Sequence, residues 1–473
     1  MNKNIEYIFV DLDGTLVRTD LFLESLLQLL KRNPFNIFRI IFWILQGRAF
    51  VKERVTSCVD IHVEHLPFET LLLDYLREQK EQGRLIVLAT ASHRLYAEKV
   101  AAHLGIFDHV IATDGDNNIK GHHKLAAIRQ YVGDAKFIYA GNSAADRPIW
   151  KAASANILVN APSKDVKVAE VAKKAEKVIK SRPPVWRAFL NEMRPHQYAK
   201  NILIFVPLFT SHEYQEVSVS LAALLAFLCF SLCASGAYFL NDLLDLQSDR
   251  LHSIKRNRPL ASGNLPIPIG IAGAIVLPVI SFVIASIFLP IIFVGVLAVY
   301  FLITNVYSFA LKRISTADVM TLAILYTLRV VSGAAATGIA LSSWLIAFSV
   351  FLFVSLAYLK RYIEVAALPE NMGNAHGRGY SAADSETMFS LGVANITASV
   401  LVLALYINSE EVIRLYQSPE VLWFLCLLML YWGNRIWVCA RRGNIADDPV
   451  IFAIKDFEQL KSVHFGHIYI RKD

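Results

Sequence analysis

From about residue 200 to 440 the sequence repeats apolar runs of roughly twenty residues, the length that crosses the hydrocarbon core of a bilayer. Lipid offers no partner to a backbone N–H or C=O, so each run must satisfy its own backbone, which predicts membrane-spanning helices. Eight fit, at roughly 199–212, 217–240, 268–289, 291–310, 318–339, 343–362, 387–407 and 420–440, the first of them short and interrupted by Pro207. The 55% apolar content of the 473 residues agrees, but it is unevenly spread, because residues 1 to about 185 read as a soluble α/β domain. The net charge of +7 points to no nucleic acid, since no basic stripe with interleaved aromatics accompanies it. Instead the cations fall between apolar runs: Arg250, Lys255, Arg256 and Arg258, then Lys312 and Arg313, then Lys360, Arg361 and Arg378, then Arg441 and Arg442. The opposite connections hold almost only Arg414, which predicts a cytoplasmic face for the basic loops and for the N-terminal domain of a plasma-membrane protein. The N-terminus carries no charged leader with an apolar core, so no signal peptide is expected. The five cysteines are scattered except Cys229 and Cys233, which share one face of an apolar helix and read as packing.

Charge of both signs follows the second run, in Asn241 to Gly263. If the helix continues, Asp242, Asp245 and Asp249 lie three and four apart and share a face. Clustered carboxylates repel and call for a cation, and Mg²⁺ in particular combines a few carboxylates with substrate phosphate oxygens. Arg250, His252, Lys255, Arg256 and Arg258 follow as phosphate donors. The alternative is a solvated loop whose acids and bases pair with one another. At the same expected level stand Arg194, Gln197 and Lys200, Tyr307 and Lys312, Asp318, and Lys360, Arg361 and Glu364. Each alone reads as a topology determinant, and together they would ring a phosphate pocket. Arg329 falls inside the fifth run, where a lone charge implies a pocket or an ion partner.

In the soluble part, Tyr7 to Val10 predicts a buried strand that delivers Asp11-Leu-Asp-Gly-Thr15 at its C-terminal end, where open α/β sheets bind ligands. Asp11 suits a nucleophile, Asp13 a general acid and base, and Gly14 a tight turn. A second strand, Arg84 to Ala89, delivers the hydroxyls of Thr90 and Ser92. Lys124 follows, and a third strand, Lys136 to Ala140, ends in Gly141-Asn-Ser-Ala-Ala-Asp146. These four motifs in order resemble the haloacid dehalogenase superfamily of phosphatases over about residues 5–165. The resemblance implies a Rossmann-like sheet, an aspartyl-phosphate and Mg²⁺ held by Asp11, Asp13, Asn142 and Asp146. Asn142 departs from the family's usual Asp and should weaken the metal, so a phosphate-binding domain with little turnover stays open beside a working phosphatase.

A helical insertion, residues 17–83, stands where such phosphatases carry a cap. Its segment Phe35 to Leu45 is too short to span but apolar enough to lie on a bilayer, and burial in an ordinary cap core is the alternative. A charged stretch from Ser163 to Lys180 is expected to be helical. Pro183-Pro184 then marks the boundary between a phosphatase-like domain at 1–182 and a membrane domain at 190–473.

The membrane part resembles the UbiA superfamily of intramembrane transferases, on Asn241, Asp242, Asp245 and Asp249. Arg194-Pro-His-Gln197, Lys200-Asn201, Asp249-Arg-x-His252, Lys255, Arg258-Pro and Tyr307-Ser with Lys312 are closest to its polyprenyl-phosphate phosphoribosyltransferase branch. The resemblance implies nine helices, so a count of eight leaves the polar tail, Asp447 to Asp473, as the place for a ninth. It also implies transfer of a 5-phosphoribosyl group from phosphoribosyl diphosphate to a polyprenyl phosphate. Asp242, Asp245 and Asp249 would hold Mg²⁺, and Lys200, Asn241, Arg250, Lys255, Arg258, Tyr307, Lys312, Arg329, Lys360 and Arg361 would bind substrate. Prenyl-diphosphate users carry a second aspartate-rich motif near the sixth helix, and here that region reads Tyr358-Leu-Lys-Arg-Tyr-Ile-Glu364. Prenyl transfer to an aromatic acceptor is therefore the second expectation, and a transporter or scaffold is remote. Lipid length and oligomeric state are left open.

Overall fold

The computed structural model describes residues 6–114, 119, 121–366, 379–409, 412 and 419–445. Two compact units emerge, one combining the chain up to Met193 with Tyr238–Ala274, the other combining Arg194–Ala237 with the chain from Ile275 onward.

The first unit is built on a parallel sheet of six strands, β1 (Tyr7–Val10), β2 (Leu85–His93), β3 (His109–Thr113), β4 (Phe137–Gly141), β5 (Ala155–Val159) and β6 (Ala175–Ile179). Their order is β3-β2-β1-β4-β5-β6. The central strands are apolar along their whole length because both faces are covered: Ile8, Val10, Ile86, Leu88 and Ile138 enter one core, and Phe9, Val87, Phe137 and Tyr139 the other. Chain direction across the sheet reverses between β1 and β4, which opens a crevice at their C-terminal ends. The first and third strands expected from sequence fall within a residue of their places, and the second, expected at Arg84 to Ala89, starts at Leu85 and runs on to His93, so that Thr90 and Ser92 lie within it. The expected helix from Ser163 to Lys180 does not: it stops at Val171, Lys173 takes φ 54°, and Ala175–Ile179 joins the sheet as its edge strand. An edge strand tolerates charge, and Glu176 there accepts from Tyr75 and Arg84.

Between β1 and β2 stand four helices, α1 (Leu21–Arg32), α2 (Asn36–Leu45), α3 (Arg48–Cys58) and α4 (Thr70–Glu81), the expected helical cap. Leu29, Ile40, Val51, Val55 and Val59 form its own small core. Trp43 packs against that core, whereas Phe35, Phe38, Ile41, Phe42 and Leu45 leave an apolar face of α2 exposed. Five more helices, α5 (Arg94–Leu104), α6 (His122–Val132), α7 (Arg147–Ala152), α8 (Ser163–Val171) and α9 (Val185–Met193), complete the α/β layer and the link that follows it.

Among the described residues seven helices are long and apolar enough to cross a membrane. The expected first one is instead a 3-10 stretch, Pro195–Phe205, followed by a short α10 (Val206–Thr210). Pro207 is tolerated there because it sits in the first turn of α10, where its missing N–H has no partner to lose. Next come α11 (Val217–Leu244), α12 (Leu246–Leu251), α13 (Ile267–Phe288), α14 (Ile291–Phe309), α15 (Ala317–Thr337), α16 (Ser343–Ala366), α17 (Ser385–Ile407) and α18 (Trp423–Arg441). Arg378, Arg414 and the tail from Asp447 lie outside the described residues.

Within the second unit α15 is the most buried of the seven spans. Its Gly333 meets the backbone of the 3-10 stretch at Ile204 so closely that an added Cβ would overlap the Ile204 carbonyl. Small residues at such crossings let backbones approach where lipid supplies no hydrophobic drive. Gly333→Ala is therefore expected to cost about 1–3 kcal/mol. The check is a fall of several degrees in the thermal unfolding of detergent-solubilised protein.

Candidate functional site

In the crevice of the first unit, Asp11 leaves the end of β1 with its backbone N–H donating to Ala140 at 3.0 Å, which ties the two central strands at the switch point. Its Oδ1 accepts from Leu12 N–H at 2.9 Å and from Lys124 Nζ at 2.7 Å, the lysine coming from the first turn of α6. Lys124 also donates to the Tyr139 hydroxyl at 3.0 Å, and Tyr139 donates to Asp146 Oδ1 at 2.9 Å. Asp146 Oδ2 is held by Asn142 N–H and by both donors of Ser143. Sequence reasoning missed Tyr139, since one aromatic on a buried strand reads as core. Its position two residues before Gly141-Asn142 was the available signal. Gly141 leaves room for this relay, as a Cβ there would lie 2.8 Å from Tyr139 and from Asp146.

Asp13 accepts from Leu21 N–H at the start of α1 at 3.0 Å and from the Ser92 hydroxyl. Thr90 is fully buried and accepts from Ser92 N–H. Gly14, at φ +76°, passes beside Asn142, whose Oδ1 accepts from Thr15 at 3.2 Å. Burial lifts the Asp11 carboxyl to about 6, against the pull of Lys124 and with the push of Asp146. Burial, then the charge of Asp20, lifts Asp13 to about 7. The sequence motifs therefore converge on one site.

The carboxylate motif folds differently from a continuous helix. The helix α11 ends at Leu244, and Asp245 breaks it with φ −99° and ψ 10° and opens α12. In consequence the three acids do not share one helical face. Asp242 and Asp249 converge on Arg258 Nη1, at 3.1 and 2.6 Å, whereas Asp245 meets Lys31 Nζ at 2.9 Å. Asn241 donates to Asp242 at 3.3 Å. Burial raises the Asp249 carboxyl to about 6 despite Arg258, with Asp242 adding to the rise. Arg250, placed by sequence among the substrate donors, is buried and directs its fork at Glu24, at 2.7 and 2.9 Å, and its Nε at the Ala261 carbonyl. Lys255 opens a 3-10 turn, Lys255–Asn257, half-buried beside this loop.

The second unit gathers two further sets. Arg361 lies inside α16, not after it as the sequence suggested, and is buried. It donates to both oxygens of Asp318, to Glu364 at 2.7 Å and to Tyr307 at 2.9 Å, and Tyr307 donates to Asp318 at 2.7 Å. Arg329 donates to Asn201 at 2.9 Å and stacks over Phe230, Tyr300 and Tyr326, so rings and an amide surround the charge expected to imply a pocket or ion partner. Buried Lys200 also lies over Tyr326. Lys312, in the 3-10 turn that follows α14, and Lys360, inside α16, are half-buried.

Among the described residues no three His, Cys, Asp or Glu side chains are grouped closely enough to hold a metal ion by themselves. Pairs do converge, and Mg²⁺ asks for little more, since it keeps waters and takes phosphate oxygens. Asp242 and Asp249 already share one cationic nitrogen, and Asp11 and Asp13 are raised by burial as carboxylates short of positive charge are. The donor chemistry of both sets fits a hard divalent cation.

The model of the UbiA prenyltransferase family matches residues 203–373, and that of the haloacid dehalogenase-like hydrolases matches residues 8–151. An uncharacterised protein of Sinorhizobium fredii, y4nM, is 35% identical over 95% of this chain and 87% of its own length. The nodulation protein NoeC of Azorhizobium caulinodans is 32% identical over 56% of this chain and 87% of its own. A decaprenyl-phosphate phosphoribosyltransferase of Mycobacterium tuberculosis is 32% identical over 45% of this chain and 72% of its own.

The raised Asp13 carboxyl has a consequence for stability. The unfolded chain ionises near the ordinary 3.8, the folded one near 7, so in metal-free protein a penalty on the fold is absent below pH 4, grows with pH and is complete above pH 7. Asparagine keeps an oxygen for Leu21 N–H and presents its amide N–H to the Ser92 hydroxyl, without the charge. Metal-free Asp13→Asn is expected to melt a few degrees above the parent at pH 8 and level with it at pH 4, as read by the near-ultraviolet signal of the first domain.

Proposed function

The chain belongs to the UbiA prenyltransferase family and carries a haloacid dehalogenase-like hydrolase domain in front of the family's membrane part. From that premise we propose that it transfers a 5-phosphoribosyl group from phosphoribosyl diphosphate to a polyprenyl phosphate at the cytoplasmic face of the plasma membrane. The first domain then removes the 5-phosphate of the product. What carries the reading is the convergence of Asp242 and Asp249 on a single cationic nitrogen at the end of a membrane helix. The naming of relatives as decaprenyl-phosphate phosphoribosyltransferases supports the transferred group and the acceptor.

Asp242, Asp245 and Asp249 are the residues that would hold Mg²⁺ with the donor's diphosphate, and Asp11, Asp13, Asn142 and Asp146 those that would hold it in the first domain. When bound, the ion withdraws charge from departing pyrophosphate and from the transferred phosphoryl group. At the motif, Arg258 and Lys255 stand ready to take the diphosphate oxygens while Asn241 orients Asp242. The bond from sugar C1 to pyrophosphate breaks with its electron pair leaving on oxygen, an oxocarbenium-like sugar develops, and the lipid phosphate oxygen closes on C1. Within the second unit, Lys200, Lys312 and Lys360 are the cations that this reading assigns to phosphate, whereas Tyr307, Arg329 and Arg361 are engaged by the partners described above. In the first domain Asp11 attacks phosphorus, Asp13 protonates the departing sugar oxygen and then takes a proton from water, and Thr90, Ser92 and Lys124 hold the phosphoryl oxygens. The exposed apolar face of α2 suits a cap that receives its phosphate from a bilayer.

Prenyl transfer to an aromatic acceptor is the second reading, favoured by the family as a whole. The region where a second acidic motif would stand commits Arg361 to Asp318 and Glu364, which weighs against it.

Purified protein given labelled phosphoribosyl diphosphate and polyprenyl phosphate is expected to yield labelled lipid, abolished by EDTA. Asp242→Asn and Asp249→Asn should each lose on the order of 100-fold. Label moving only from prenyl diphosphate to hydroxybenzoate would reverse the order of the two readings. Asp11→Asn is expected to keep transfer and lose phosphate release, and release that persists in that variant removes the second step.

A further inference from the structure

Helix α1 of the cap touches both sets of carboxylates. Its first residue, Leu21, donates N–H to Asp13 at 3.0 Å, and Asp20 caps it by accepting from Leu23 N–H at 3.0 Å. One turn on, Glu24 is wholly buried, accepts from Thr19 at 3.3 Å and grips the Arg250 fork. In its last turn Lys31 pairs with Asp245 at 2.9 Å, both side chains mostly buried. A helix is stiff, and the ten steps from Leu21 to Lys31 span about 15 Å. The docking loop allows no slack either: Gly263, at φ +71°, lies so close to Arg18 that a Cβ would come within 2.7 Å of the Arg18 carbonyl oxygen.

Two cations on the motif differ in origin. Arg258 reaches Asp242 and Asp249 from the motif's own loop, whereas Lys31 comes from the hydrolase cap. A second cation bound to Asp245 would face the Lys31 ammonium across one carboxylate, so the two compete. Linkage makes the competition reciprocal: whatever seats α1 weakens the ion, and the ion loosens α1.

We propose that Lys31 is a positioning residue that the hydrolase cap lends to the membrane motif, holding Asp245 until a divalent cation displaces it and so linking the loading of the motif to the seating of α1 beside Asp13. The proposal rests on reading Asp245 as a cation ligand. Mn²⁺ serves as the probe, its binding followed by electron paramagnetic resonance on full-length protein in nanodiscs, with Asp11→Asn throughout to weaken the first-domain site. Lys31→Met is expected to tighten Mn²⁺ about tenfold, Lys31→Arg to leave it near the parent, and Asp245→Asn to cancel the effect of Lys31→Met. Hydrogen exchange supplies a readout independent of turnover: Mn²⁺ should speed exchange of the last-turn amides of α1 in the parent, whereas in Lys31→Met they exchange fast without it. Equal Mn²⁺ affinity in the parent and Lys31→Met, with Asp245→Asn weaker than both, overturns the role of Lys31 alone. Mn²⁺ affinity indifferent to Asp245→Asn overturns the cation reading of that residue as well.

Discussion

A carboxylate taken out of water must find positive charge or give up its own, and this constraint organises the sites of both units. Asp11 is served by Lys124, Asp242 and Asp249 by Arg258, Asp245 by Lys31, Glu24 by Arg250 and Asp318 by Arg361. In most of these the cation arrives from a distant part of the chain, so a correct charge pattern exists only in the correct fold. Where the supply falls short the acid rises toward neutrality, as at Asp11, Asp13 and Asp249. These are residues on which the proposed chemistry turns, and at Asp13 a perturbed acid in a crevice is what proton transfer near neutral pH requires.

The solvated-loop alternative for the motif was half right in a way that matters. Its acids and bases do pair with one another, but the pairing is buried, and Arg258 stands where a cation between two carboxylates belongs. Such an arrangement is only partly neutralised, one guanidinium serving two carboxylates, and a diphosphate that accompanies an incoming ion offers the displaced guanidinium new oxygens.

Much of this was legible in the sequence where a local rule dictated geometry. Tyr7 to Val10 followed by Asp11-Leu-Asp-Gly-Thr15 declares a strand, a crevice and a turn in nine residues, and apolar runs of membrane length declare their helices. Legibility ended where the outcome depended on partners far along the chain. The three-and-four spacing of Asp242, Asp245 and Asp249 carried no sign that the helix breaks at Asp245, whose carboxylate pairs with Lys31 from far back in the chain. Arg250 looked like a ligand donor because nothing near it revealed Glu24. Residues 175–179 looked helical by charge, and only pairing with β5 makes them a strand.

The Glu24–Arg250 pair also bears on how such a chain is inherited. A hydrolase domain exchanged for one without an acid at that place would strand a guanidinium in a dry contact, and the reverse exchange would strand the acid. Recombination that swaps either half alone is therefore disfavoured, and this contact, which neither chemistry needs, helps to hold the two halves together as a single heritable piece.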